Sequence, residues 1–163
     1  MTCEDINELK SGDILELRSK SLEGKKEYEK NRVLYNGVYN VLKVLQRSNI
    51  KNVLISDNEL TEAQLRQEVL AQFNINQYLD MVITSKDIGF SKPDARIFKA
   101  VLDRLNLTAN EIIFVAHDKD EIEGAQVQGI RTVEFNNYLN IPTKSDFKIE
   151  KIEQLFDIIE RLI

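Results

Sequence analysis

The ten residues Gly89-Phe-Ser-Lys-Pro-Asp-Ala-Arg-Ile-Phe98 decide how this chain is read. They link a short apolar run, Met81-Val-Ile-Thr-Ser85, to a longer stretch from Asp94 to Leu105 that places Ile97, Val101, Leu102 and Leu105 on one face. An apolar run of that length bounded by turn residues predicts a buried strand, and spacings of three and four predict a helix. The order is therefore strand, loop, helix, with Lys92 in the loop.

The same alternation extends in both directions. Upstream, Asp13-Ile-Leu-Glu-Leu17 follows the turn pair Ser11-Gly12 and predicts a first strand. A helix is predicted from Gly37 to Ser48, and a buried strand at Asn52-Val-Leu-Ile-Ser56. Thr61-Glu-Ala-Gln64 is a capping-box pattern opening a helix that carries Leu65, Val69 and Phe73. Downstream come a turn at Thr108 to Glu111 and a strand at Ile112-Ile-Phe-Val-Ala116. A helix from about Asp120 to Gln128 follows, ending at Gly129, and then a strand at Arg131-Thr-Val-Glu-Phe135. Residues 145–163 read as a C-terminal helix, with Ile152, Leu155 and Ile159 at helical spacing from Lys151 to Leu162.

Strands alternating with helices predict an α/β fold: a doubly wound, mostly parallel five-stranded sheet with helices on both faces. One domain over 1–163 is expected, with 1–12 read as a frayed N-terminal segment and no separate cap domain. Ligands in such folds sit beyond the carboxyl ends of the strands. Topology alone thus selects Glu16 to Ser19, Ser56 to Asn58, Ser85 to Lys92, and Ala116 to Glu121.

The Gly89–Phe98 segment, the later Glu121-Ile-Glu-Gly-Ala125 and Gly129-Ile-Arg-Thr-Val133 together resemble the haloacid dehalogenase (HAD) superfamily of phosphohydrolases. The resemblance runs from about Leu34 to Phe135. It implies a phosphoryl-transfer site: one aspartate attacks phosphorus, a second two residues later serves as acid and base, and a Ser/Thr and a Lys hold the phosphate. Carboxylates after the fourth strand hold Mg²⁺. On this chain the resemblance assigns phosphate binding to Ser56, Asp57 and Lys92, and a Mg²⁺ site to Glu16, Asp118 and Glu121.

The first strand departs from that pattern. Its best register puts Glu16 at the nucleophile position and Arg18 at the acid/base position. A glutamate carboxylate stands one methylene too far out, and geometry for attack tolerates about an ångström. Arginine stays protonated and cannot accept a proton. In the loop Val115-Ala-His-Asp-Lys-Asp-Glu121, counting back from Gly124 leaves Ala116 at the first acidic position, and counting forward leaves His117 there. Asp118 stands one step away.

The expectation is a domain that has lost phosphohydrolase catalysis and serves as a binding or regulatory module with a residual anion site. Its partner would be a phosphate-containing ligand or a protein. The alternative is a low-activity, Mg²⁺-dependent phosphohydrolase of the same superfamily using Glu16 or another carboxylate. A further alternative is a piece of a longer protein whose nucleophile strand lies upstream.

Composition sets the remaining bounds. Hydrophobic residues make up 42% and charged residues 30%, as in a folded globular protein. The net charge of −5 gives no long-range attraction for nucleic acid or anionic lipid. The densest basic cluster, Lys25, Lys26, Lys30 and Arg32, is interrupted by Glu27 and Glu29 and reads as a solvated face. No apolar run approaches the roughly 20 residues of a membrane span. Cys3 alone cannot form an internal disulfide, and a cytoplasmic location is expected.

Overall fold

A computed structural model describes residues 34–135 and 141–162. The strand expected at 13–17, the frayed segment expected at 1–12, and with them Glu16 and Arg18 lie outside the described residues. Helix α1 (Val38–Arg47) buries Val41 and Leu45 and leads to strand β1 (Val53–Ser56). Helix α2 (Glu62–Glu68) starts in the expected capping box, in which Thr61 and Gln64 satisfy each other's orphan donors. Beyond it the chain tightens into a 3₁₀ turn at Leu70–Phe73 and ends on Asn74 at φ 53°, so the single long helix expected through Phe73 is two pieces.

Strand β2 (Met81–Thr84) stops one residue before its expected end. The Thr84 hydroxyl accepts from the Asp87 amide, and Ser85 opens a one-turn helix, α3 (Ser85–Ile88). Helix α4 (Ala95–Leu105) is capped by the Asp94 carboxylate and buries Ile97, Phe98 and Val101. Strand β3 (Ile113–Ala116) leads into α5 (Lys119–Val127), where the Asp118 carboxylate accepts from the Asp120 and Glu121 amides. Gly129 at φ 74° turns the chain into β4 (Arg131–Phe135).

The C-terminal segment corrects the expectation of one helix over 145–163. Residues Phe147–Ile149 form strand β5, and helix α6 (Leu155–Leu162) follows a 3₁₀ turn at Ile152–Gln154. The Asp146 carboxylate accepts from both the amide and the hydroxyl of Thr132, pinning the chain beside β4 before a helix can begin. Burial raises the Asp146 carboxyl pKa, but the Thr132 hydrogen bonds outweigh it and hold the group below the ordinary range.

Every strand pairing among the described residues is parallel, as the βαβ pattern requires. Among the described residues β1 pairs with β2, and β3, β4 and β5 pair in that order. Between the helices and the sheets lies an apolar core in which Ile97, Phe98, Ile122 and Val133 are at most 1% exposed. Side chains of this kind each contribute about 1.5–3 kcal/mol on burial. The Phe98 and Phe114 rings meet edge to face at 4.9 Å, tying α4 to β3. The described residues include no separate cap domain and no helix long and apolar enough to cross a membrane.

Candidate active site at the carboxyl ends of the strands

The carboxyl ends of β1, β2 and β3 bring three of the four selected segments together. At the end of β1 the Ser56 hydroxyl accepts from the Asn58 side-chain amide at 2.6 Å. The Asn58 backbone amide donates to Ser85 Oγ at 3.1 Å, and that hydroxyl donates back to the Asn58 carbonyl at 3.2 Å. These two bonds lock the β1 loop onto the start of α3. Asp87 secures the far side, accepting from the Thr84 hydroxyl at 2.9 Å and from the Glu62 amide at 2.6 Å.

Asp57 reaches the decisive loop. Both of its carboxylate oxygens accept from the Lys92 backbone amide, at 3.1 and 3.2 Å. That contact fixes the backbone from which the Lys92 side chain projects. The ammonium then meets Glu121 Oε1 at 2.8 Å, where the two side chains are only 14% and 18% exposed. An ion pair so far withdrawn from water is screened weakly and holds a definite geometry.

Two further contacts shape the loop. The Lys92–Pro93 peptide is cis, and Gly124 in α5 sits against the Pro93 carbonyl with Phe98 close by. Arg96 pairs with Asp94 at 2.5 Å while its guanidinium lies 4.0 Å from the centre of the Phe90 ring. Arg96 hydrogen bonds hold the Asp94 carboxyl at a pKa of about 2.

His117 belongs to this group of charges. Burial depresses its imidazole below the ordinary 6.5, Glu121 and Asp118 oppose that shift, and Lys92 reinforces it. At neutral pH it is therefore an uncharged member of the cluster rather than a cation.

Of the three carboxylates expected to bind Mg²⁺, Glu16 lies outside the described residues. Asp118 is engaged as the α5 cap and Glu121 as the partner of Lys92. No three metal-binding side chains converge among the described residues. Those residues alone do not fit a divalent ion, which would need carboxylates beyond them. Sequence reasoning assigned no role to Asn58, Ser85 or Asp87, although topology had selected their segments. A small hydroxyl or amide side chain at a parallel strand's carboxyl end was the available signal.

Residues 4–135 match the family described as haloacid dehalogenase-like hydrolase. A glyceraldehyde 3-phosphate phosphatase of Methanocaldococcus jannaschii is 35% identical over 101 residues, covering 58% of this chain and 44% of that protein. An (S)-2-haloacid dehalogenase of a Pseudomonas species is 27% identical over 148 residues, covering 82% of this chain and 63% of that protein. The chain thus spans less than two thirds of either relative. The solved structure of a HAD phosphatase from Thermococcus onnurineus superposes with a TM-score of 0.71 at 20% identity, covering 96% of this chain and 78% of that one.

Proposed function

The chain belongs to the haloacid dehalogenase-like hydrolase family, and from that premise we propose that it hydrolyses phosphate monoesters. This is the alternative named above. The relatives it matches bear the names of phosphatases and dehalogenases, which favours it over the reading of lost catalysis. That reading rested on Glu16 and Arg18, neither of which is among the described residues.

The observation that carries the proposal is the Lys92–Glu121 pair. Lys92 is held by its backbone on Asp57 and by its ammonium on Glu121, beside the strand end that carries Ser56. A fixed cation next to a hydroxyl donor is what a transferring phosphoryl group requires, because the transition state spreads negative charge over its oxygens. In this proposal Lys92 neutralises that charge and the Ser56 hydroxyl donates to a phosphate oxygen. Asp57 and Glu121 act by positioning Lys92.

The proposed nucleophile is the Glu16 carboxylate, whose extra methylene departs from ideal attack geometry and makes the expected activity low. Its oxygen forms a bond to phosphorus as the ester P–O bond breaks and the alcohol oxygen departs with the electron pair. Water then attacks phosphorus, the acyl-phosphate bond breaks, and the carboxylate and free phosphate are released. Arg18 cannot protonate the leaving oxygen, so esters whose leaving group departs as a stable anion react faster than alkyl phosphates.

The test is release of p-nitrophenolate from p-nitrophenyl phosphate, with Mg²⁺ supplied, by the unaltered chain and by Glu16→Gln. Turnover that falls at least about 100-fold in the variant supports the proposal. Turnover unaffected by the substitution overturns Glu16 as nucleophile. Phosphate binding without any turnover overturns hydrolysis and returns the chain to an anion-binding module.

A further inference from the structure

Three helices answer their cations with carboxylates of their own. Arg66 pairs with Glu62 in α2, Lys99 with Asp103 in α4, and Lys119 with Glu123 in α5, each at i,i+4 spacing. Such pairs balance a solvated helix face. Helix α1 is different. Residues 35–56 contain no aspartate or glutamate, although the chain carries a net charge of −5. Lys43 and Arg47, one turn apart on α1, form no ion pair among the described residues. Lys51, exposed, extends the basic segment.

Beside these cations stands a fixed aromatic pair. Tyr39, one turn before Lys43, meets Tyr78 edge to face at 5.2 Å, and their hydroxyls share a hydrogen bond of 3.0 Å. The Lys43 ammonium lies 5.9 Å from the centre of the Tyr39 ring. The Tyr78 hydroxyl is held below its ordinary pKa of 10.0, chiefly by the bond with Tyr39 and further by Gln77, Lys43 and Arg47, with desolvation opposing. Both cations thus act on the phenols. The platform beneath them is tied down. Gln46 donates to the Gln77 carbonyl at 2.6 Å, and the Asn52 side chain bridges the Leu42 and Tyr78 carbonyls. These ties sit where the chain enters β1 and β2, at the opposite end of the strands from Lys92. Tyr39 is 37% exposed, and Val44, further round the helix, 42%.

We propose that this face of α1, with Tyr39, Lys43, Arg47 and Tyr78, docks an acidic segment of a partner protein. Its carboxylates would meet the two cations, and an apolar side chain would lie against Tyr39 and Val44. Charge complementarity selects this occupant. Tyrosine and arginine are the side chains that most often anchor protein interfaces, and the phenols here are already held in place. A nucleic acid would need a longer basic track and open ring faces, whereas the edge of one tyrosine ring already occupies the face of the other. The docking face does not depend on the hydrolase reading.

The test uses the whole chain and a labelled synthetic peptide of Glu-Glu-Leu repeats. Fluorescence anisotropy should give a Kd below about 1 mM at about 50 mM salt. Reversing both cations, Lys43→Glu with Arg47→Glu, should weaken binding at least about tenfold. Lys43→Gln with Arg47→Gln should weaken it at least about threefold, and repeats the test should the reversal unfold the chain. Lys99→Glu with Lys119→Glu makes the same change in net charge at cations already paired, and should leave binding within about twofold. Equal losses in the two reversed proteins would reduce the effect to net charge and overturn the site. No binding by the unaltered chain at about 1 mM peptide would overturn it as well. Tighter binding of single-stranded RNA that the α1 variant loses would assign the face to nucleic acid. A dimer in light scattering that the α1 variant dissociates would assign it to a second copy. Either result overturns the proposal.

Discussion

Gly124 in α5 lies so close to the Pro93 carbonyl that no side chain fits between them. Two segments that the sequence reading singled out separately, the Lys-Pro-Asp loop and the Glu121–Ala125 stretch, are thus one packed unit. The helix must approach within backbone contact of the loop for Glu121, one turn earlier, to reach the Lys92 ammonium.

Gly124→Ala should therefore destabilise the fold by roughly 1–3 kcal/mol through overpacking against the Pro93 backbone, and should weaken the Lys92–Glu121 pair with it. Gly89→Ala makes a useful contrast. A methyl group there meets nothing within 4 Å, but the backbone φ of 77° is left-handed, so the cost is strain of about 1 kcal/mol. Urea midpoints of the two variants separate these mechanisms, because only the first should also lower activity markedly.

The Lys92–Glu121 pair should show coupling in a double-mutant cycle. Each single neutralisation, Lys92→Met or Glu121→Gln, leaves a largely buried group without its partner and should cost roughly 1.5–3 kcal/mol. The double variant should cost less than the sum of the two singles. Strictly additive urea-derived stabilities would show that the contact is energetically idle.

Acidification gives a third check. The folded-state pKa of His117 lies below its ordinary 6.5, so the unfolded chain binds the proton more readily. The resulting stability is complete above that value and falls as the pH drops through it toward the folded pKa. The slope should be no steeper than about 1.4 kcal/mol per pH unit. His117→Gln should remove this slope between about pH 5.5 and 7.5, a window above most carboxylate titrations.

Asn52 supplies a prediction remote from the site. It is 5% exposed, and its side-chain amide donates to the Leu42 and Tyr78 carbonyls at 2.9 Å each. Asn52→Leu removes both donations and leaves two carbonyls short of a partner, costing roughly 2–4 kcal/mol. Asn52→Asp should be worse, since it faces the same carbonyls with a negative charge. Thermal melts of the two variants rank them directly.

Much of this architecture was legible in the sequence because it is written in local chemistry. Asp94 before an amphipathic run and Gly129 after one mark helix ends that recur where the pattern places them. Arg131–Phe135 is a strand as read. Strand β5 escaped notice because Phe147-Lys-Ile149 is too short to show a period, and its position depends on Thr132 gripping Asp146 from another strand. Ser85 passed for a strand residue because the Thr84–Asp87 cap that turns it into a helix is invisible in an apolar count.

At the site, residue types were legible but pairings were not. Ser56, Asp57 and Lys92 follow from topology and motif. That Asp57 holds the Lys92 amide, and that Glu121 takes its ammonium, depends on how closely Gly124 lets α5 approach. Asn58 and Ser85 bond across 27 residues of sequence, a relation no local pattern encodes.

In the proposed reaction the ammonium of Lys92 stabilises a transferring phosphoryl group. Its most direct test is the kcat/KM of Lys92→Met on p-nitrophenyl phosphate, measured beside the unaltered chain under conditions where hydrogen exchange shows both to be folded. The expected result is turnover by the unaltered chain and a fall of at least about 100-fold in the variant. Equal turnover by the two proteins would contradict it.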